Sequence, residues 1–161
     1  MEISKNGLDL IRKWEGQATH LYYDAAGFPT IGIGHLLTKS EGASGKIIIN
    51  YETVRIRDGL SDKQCLQLLM QDLKEVEDAV NLYIFAELNQ NQYDTLVSFA
   101  FNVGVYAFKE STLLKLLNQL QYDQAPAQLR RWIRSGGQII NGLITRRENE
   151  IKLWETKEVK E

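Results

Sequence analysis

Residues 22–40 read YYDAAGFPTIGIGHLLTKS, and the periodicity of this stretch decides the fold class. "HLYYD" (20–24) is rich in strand formers, "AAG" (25–27) is a turn, and "FPTIGIGH" (28–35) alternates apolar with small residues. That pattern predicts a β-hairpin over residues 20–35. Pro29 must then stand at a strand start or edge, where no ladder donor is required of it. Asp24 heads the turn and Thr30 opens the apolar run beyond it.

Working outward, the flanks are helical. Ser4 can cap a first helix whose apolar residues Leu8, Ile11 and Trp14 recur at helical spacing, with Gly16 as its stop. Glu15 therefore falls in the last turn or just beyond it. On the other side, "SEGASGKIII" (40–49) opens as a loop, and "KIIINYETVRIR" (46–57) is expected to add extended structure, ended by Gly59 and Ser61. Ser61 and Gln64 form a capping-box pattern. From there one long helix is expected, striped by Leu66, Leu69, Leu73, Val76 and Val80 and able to connect two lobes.

Residues 90–102 are apolar on nearly all faces in their second half, as in a buried central helix. The segments 111–121, 123–137 and 141–155 are expected as three further helices, with Asp123 and Asn141 as caps. The final TKEVKE (156–161) is expected as a solvated, frayed end.

The chain has 161 residues, enough for one domain with a core that needs neither disulfide nor metal. Its net charge of −2 gives no whole-molecule attraction to nucleic acid or anionic membrane. The basic clusters "RRWIRSGG" and "TRRENEIK" lie beside apolar residues on expected helices, so no nucleic-acid partner is expected. Cys65 is the only cysteine and reads as a small core residue. The N-terminus has no signal-peptide pattern, and no apolar run reaches eighteen residues, so synthesis in a cytoplasm without membrane insertion is the expectation.

Two carboxylates in unlike settings can divide the work of glycosidic hydrolysis, one giving a proton and the other handling water. Glu15, at the negative end of a helix dipole, suits the donor because its anion is mildly disfavoured there. Asp24, in a polar turn, suits the ionised partner, and the Thr30 hydroxyl can position a water. Taken singly, each residue also has an ordinary explanation as surface charge or turn chemistry.

Together they are more specific. Glu15, eight residues, Asp24, five residues, then Thr30 with "IGIGH" resembles the catalytic signature of the phage-type lysozymes, glycoside hydrolase family 24. "TIGIGHLLTKS" is similar to the T-even phage lysozymes, whereas "QYDTLVSFAFNVG", "STLL" and "GLITRRENE" resemble the lambdoid phage endolysins. The resemblance covers nearly the whole chain except residues 41–58.

It implies an N-acetylmuramidase cutting the β-1,4 bond from N-acetylmuramic acid to N-acetylglucosamine in peptidoglycan. Glu15 is then the general acid, with Asp24 and Thr30 holding and activating water on the opposite sugar face. Leu36, Phe101, Ser111 and Gln128 match glycan-contacting positions, although relatives carry asparagine at the place of Gln128. Arg146 matches an arginine that pairs with the catalytic glutamate, with Arg147 next door leaving the register open. His35 matches a histidine paired with Asp72, a pair expected to raise the His35 pKa.

The implied fold is α+β and lysozyme-like, a single domain over 1–161. A small β-containing lobe covers about 16–60, a connecting helix about 61–82, and a helical lobe about 83–161 with 1–15, with the cleft between lobes. The expectation is a monomer with no cofactor and no metal, released to the cell wall by a separate holin. A lytic transglycosylase or chitinase on the same fold, or a non-catalytic peptidoglycan-binding scaffold, remain as alternatives.

Overall fold

The computed structural model describes residues 1–158. In chain order the elements are α1 (Lys5–Glu15), β1 (Ala18–Tyr23), β2 (Pro29–Gly32), β3 (His35–Leu36), α2 (Lys39–Ser44), β4 (Lys46–Ile49), β5 (Glu52–Arg55) and α3 (Asp62–Tyr83). There follow α4 (Gln90–Val103), α5 (Val105–Lys109), α6 (Thr112–Asn118), α7 (Ala125–Leu129), β6 (Arg134–Ser135), β7 (Gln138–Ile139) and α8 (Asn141–Glu155). The described residues form two units: Arg12–Glu75, and Met1–Ile11 together with the chain from Val76 onward.

In the Arg12–Glu75 unit, β1, β2 and β3 make one antiparallel sheet in sequence order. Its register sets Tyr22 opposite Thr30 and Thr30 opposite Leu36, so these three share one face. Pro29 takes the first position of β2, as its missing N–H requires. A second hairpin joins β4 to β5 through Asn50 and Tyr51, both with positive φ, a two-residue turn of the kind that matches strand twist. Ile47 and Ile49 point inward while Ile48 is exposed. Gln71 of α3 clasps the hairpin, accepting from Asn50 N at 2.6 Å and donating to Ile48 O at 3.1 Å.

In the larger unit α4 is the centre. Its residues Tyr93–Ala100 are all buried, which explains why its sequence is apolar nearly all round. Asp94, fully buried, accepts from Ser4 N at 2.9 Å and from the Ser4 hydroxyl, while Ser4 Oγ accepts from Gly7 N at 3.2 Å. The start of α1 is thereby fixed to α4. The approach is so close that a Cβ on Gly7 would stand 2.7 Å from Asp94 Cγ.

The structure departs from the sequence reading in four places. Residues 39–44 form α2, capped by Thr38 and Glu41 in a reciprocal box, where a loop was expected. Residues 130–139 are not helical. The paired glycines Gly136 and Gly137 both take positive φ and turn the chain into the β6–β7 hairpin instead. Asp123 does not cap a helix; it lies in a 3₁₀ turn, and α7 begins after Gln124 with no side-chain cap. Asn141 is the first residue of α8, not its cap, and its carbonyl accepts from the Thr145 hydroxyl at 3.2 Å. The expected frayed end at 156–161 lies outside the described residues from 159 on.

Candidate active site

Glu15 is the last residue of α1. Gly16, at φ +66°, carries the chain out of the helix in the left-handed region, and its N–H still closes on Arg12 O at 3.0 Å. The Glu15 side chain lies over the β2–β3 turn. A Cβ on Gly34 would stand 2.7 Å from Glu15 Oε2 and 3.1 Å from its Cδ and Cγ. Gly34 also has φ +70°, so glycine is required there twice, by backbone and by space.

Asp24 closes the β1–β2 turn. Its Oδ1 accepts from Ala26 N at 3.0 Å and Phe28 N at 2.8 Å, and its own N–H donates to Phe28 O at 2.9 Å. One carboxylate oxygen is thus fixed by backbone, and Oδ2 remains for a water. Thr30, 3% exposed, donates its hydroxyl hydrogen to the same Phe28 carbonyl at 3.0 Å. The oxygen retains lone pairs for an incoming water hydrogen. The Phe28 peptide therefore links Asp24 to Thr30.

Tyr22 ties the third residue in. It faces Thr30 across the ladder, and its phenol is held above the usual tyrosine value by burial and by the negative charges of Glu15 and Asp24. Both carboxylates therefore act on the side chain that neighbours Thr30. Leu36, 53% exposed, faces Thr30 from the other side. The sequence reading missed Tyr22, Gly34 and Glu41. The register of the predicted hairpin would have found Tyr22, and the Thr38-x-x-Glu41 capping pattern would have found Glu41.

His35, at the start of β3, bridges two carboxylates: Nδ1 lies 2.8 Å from Asp72 Oδ2 and Nε2 lies 2.9 Å from Glu41 Oε1. Burial opposes its charge, but the hydrogen bonds and charges of Asp72 and Glu41 outweigh burial, and its pKa is pushed up to about 9. The pair anchors β3 and α2 to α3.

The other sequence-derived residues lie in the larger unit. Phe101 is half-buried on α4. Ser111 is buried as the N-cap of α6, its hydroxyl donating to Phe108 O at 2.7 Å and accepting from Leu114 N at 3.2 Å. Gln128 on α7 accepts from Arg131 at 3.0 Å. Arg146 is buried, donates from Nη2 to Ser98 O at 3.1 Å and stands 3.8 Å from Glu150 Oε2.

Its neighbour Arg147, also buried, donates to Trp132 O at 2.9 Å, to Glu150 and to Asn102, and sits over the Phe99 ring. Burial lowers its pKa, as does Arg146, while Glu150 opposes both. Ser98 donates to the other Glu150 oxygen at 2.8 Å. Among the described residues no cluster of three His, Cys, Asp or Glu is placed to hold a metal ion.

The chain is similar to known proteins in sequence and in fold. Residues 12–150 match the family model described as phage lysozyme. The chain is 36% identical to the endolysin of Salmonella phage P22 over 96% of its own length and 98% of that protein. It is 36% identical to the endolysin of Bacillus phage B103 over 99% of its length, though it spans only 56% of that longer protein. Among solved structures, the muramidase domain of SpmX from Asticaccaulis excentricus superposes with TM-score 0.77 at 31% identity, covering 97% of this chain and 99% of that one. A family match over most of the chain, and a relative matched over nearly its full length, show that this chain belongs to the phage lysozyme family and is a glycoside hydrolase of the lysozyme type.

Proposed function

We propose that the chain is an endolysin-type muramidase that hydrolyses the β-1,4 bond from N-acetylmuramic acid to N-acetylglucosamine in peptidoglycan. The observation that carries this reading is that Asp24 and Thr30 meet on the backbone of Phe28, while the charges of Glu15 and Asp24 both reach Tyr22, the cross-strand neighbour of Thr30. Glu15 protonates the leaving glycosidic oxygen as the bond to the anomeric carbon breaks. A water held by Thr30 attacks that carbon from the opposite face and gives its proton to Asp24 Oδ2, which inverts the configuration.

Backbone donors on Oδ1 keep Asp24 from swinging toward the sugar as a nucleophile. Leu36, Phe101, Ser111 and Gln128 belong to the glycan-contacting set on this reading. Ser111 acts there through the helix it caps, α6, since its hydroxyl is engaged as that helix's N-cap. Arg146, His35 and Asp72 support the set. No helix among the described residues is long and apolar enough to cross a membrane, and release to the wall by a separate holin is part of the proposal.

The test is Glu15→Gln beside the unaltered chain on outer-membrane-stripped Gram-negative cells, with released fragments weighed by mass spectrometry. The expected result is clearing by the unaltered chain alone, with hydrated, reducing muramic ends. Anhydro ends would make the enzyme a transglycosylase instead. Near-normal clearing by the glutamine variant would remove Glu15 as the acid.

A further inference from the structure

The Arg12–Glu75 unit carries a second concave feature, on the other face of the sheet. Strand alternation puts Tyr22, Thr30 and Leu36 on one face and Tyr23, Pro29 and Leu37 on the opposite one. The second row floors a cavity of about 770 Å³, closed on its far side by the end of α2, the base of the β4–β5 hairpin and Ile56. Its rim carries Lys46, Arg55 and Arg57 and no carboxylate.

Two of these cations are paired in an unfavourable way. Lys46 stands directly opposite Arg55 in the β4–β5 ladder, and like charges in that position repel. Asp58 relieves this only in part, meeting Arg55 Nε at 3.1 Å and Arg57 Nε at 3.9 Å. The three cations against one carboxylate leave a local excess of positive charge in a chain whose net charge is −2. An arrangement that costs stability in the empty state is relieved by an anion bound across it.

We infer that this cavity is a binding site for an acidic peptide, namely the carboxylate-bearing stem peptide of peptidoglycan; the identity of the ligand rests on the peptidoglycan reading above. The exposed Tyr23 ring and the Leu37–Ile56 floor take the aliphatic stem side chains. Lys46 and Arg57 take free carboxylates, Arg57 in forked geometry. Because the cavity opens on the face away from Thr30, the stem it holds belongs to a neighbouring part of the mesh and not to the sugar being cut. The site thereby keeps the enzyme on the wall, a role the overall charge does not fill.

The test is a titration of the ¹⁵N-labelled chain with the soluble tetrapeptide L-Ala-γ-D-Glu-meso-diaminopimelyl-D-Ala, followed by NMR. The expected result is saturable shifts at Tyr23, Lys46, Arg55 and Arg57. Affinity should fall about tenfold in Lys46→Gln/Arg57→Gln and weaken with added salt. A circular dichroism melt of the variant checks that it is folded, and Arg57→Gln alone serves if it is not.

Absence of shifts in this region overturns the inference, as does an equal response to inorganic phosphate or to the peptide with its carboxyls amidated. The titration needs no turnover. Wall clearing without these shifts would leave the muramidase reading intact and remove this site, whereas shifts without clearing would do the reverse.

Discussion

Raising the pH from about 6.5 to above 9 is expected to weaken the folded chain by about 3–4 kcal/mol through His35 alone. Both ring nitrogens face carboxylates, at 2.8 Å to Asp72 and 2.9 Å to Glu41, and only the imidazolium carries a proton on each. The side chain is 11% exposed, so solvent screens the interaction little. Burial works against the charge and the two carboxylates overcome it, leaving a folded pKa of about 9, whereas the unfolded chain titrates near 6.5.

The folded value is the higher one. The stabilisation is therefore fully present below about pH 6.5 and is lost as pH rises through about 9. A gap of about 2.5 pH units at about 1.4 kcal/mol each gives about 3–4 kcal/mol, declining by about 1.4 kcal/mol per pH unit across the window. The assay is urea unfolding of the unaltered chain and of His35→Gln at about pH 6, 7.5 and 9.5, with the imidazole titrated by NMR. The difference between the two proteins should shrink steadily with rising pH. An imidazole that titrates near 6.5 in the folded chain, or a difference that is flat from pH 6 to 9.5, refutes the reasoning.

Other perturbations separate stability from chemistry. Gly34→Ala places a methyl only 2.7 Å from Glu15 Oε2, at φ +70°. It should cost about 1–2 kcal/mol in unfolding yet lower kcat by about 10²-fold through the displaced carboxylate. Gly32→Ala meets its nearest side chain at 3.5 Å and φ +69°, so it should cost similar strain with a much smaller loss of turnover. Glu150→Leu strands the buried Arg147 and should destabilise by about 3–5 kcal/mol, and adding Arg147→Met should recover most of that in urea unfolding. Thr38→Ala removes the hydroxyl that caps α2 at Glu41 N but keeps the backbone N–H that holds the Glu41 carboxylate; a loss of about 1 kcal/mol in urea unfolding, with the His35 titration unmoved, is the expected result.

What the sequence showed and what it hid follow from how far each signal reaches along the chain. The hairpin at 20–35, the Ser61–Gln64 box and the long α3 are written in local periods and caps, and these are the elements whose outlines it predicted. Residues 130–139 carry helix formers, and only the Gly136–Gly137 pair marks the turn that overrides them. In 39–44 the six residues are too few to show a period, so α2 is visible only through its capping box. The placing of Glu15 against Gly34 joins residues nineteen positions apart, and no local rule reaches that far. Asp24 and Thr30, by contrast, are held by hydrogen bonds within one turn, which is why their juxtaposition is already implied by the turn itself.

That turn also decides what each face of the sheet does. Tyr22, Thr30 and Leu36 form one cross-strand row, and Tyr23, Pro29 and Leu37 form the next, one residue along on every strand. A slip of a single residue would exchange the rows, burying the cavity floor where Thr30 belongs and turning Thr30 away from Tyr22. The register is held at both ends by devices that admit no slip. Asp24 fixes Ala26 and Phe28 at one turn, and Gly34, the only residue type that fits beneath Glu15, fixes the other. The residues assigned to the chemistry are thus the same ones that set the register, so a substitution at Asp24 disturbs both faces while one at Lys46 or Arg57, outside the sheet, disturbs only the cavity. The two readings of this unit, catalysis on one face and peptide binding on the other, are separable by mutation for that reason.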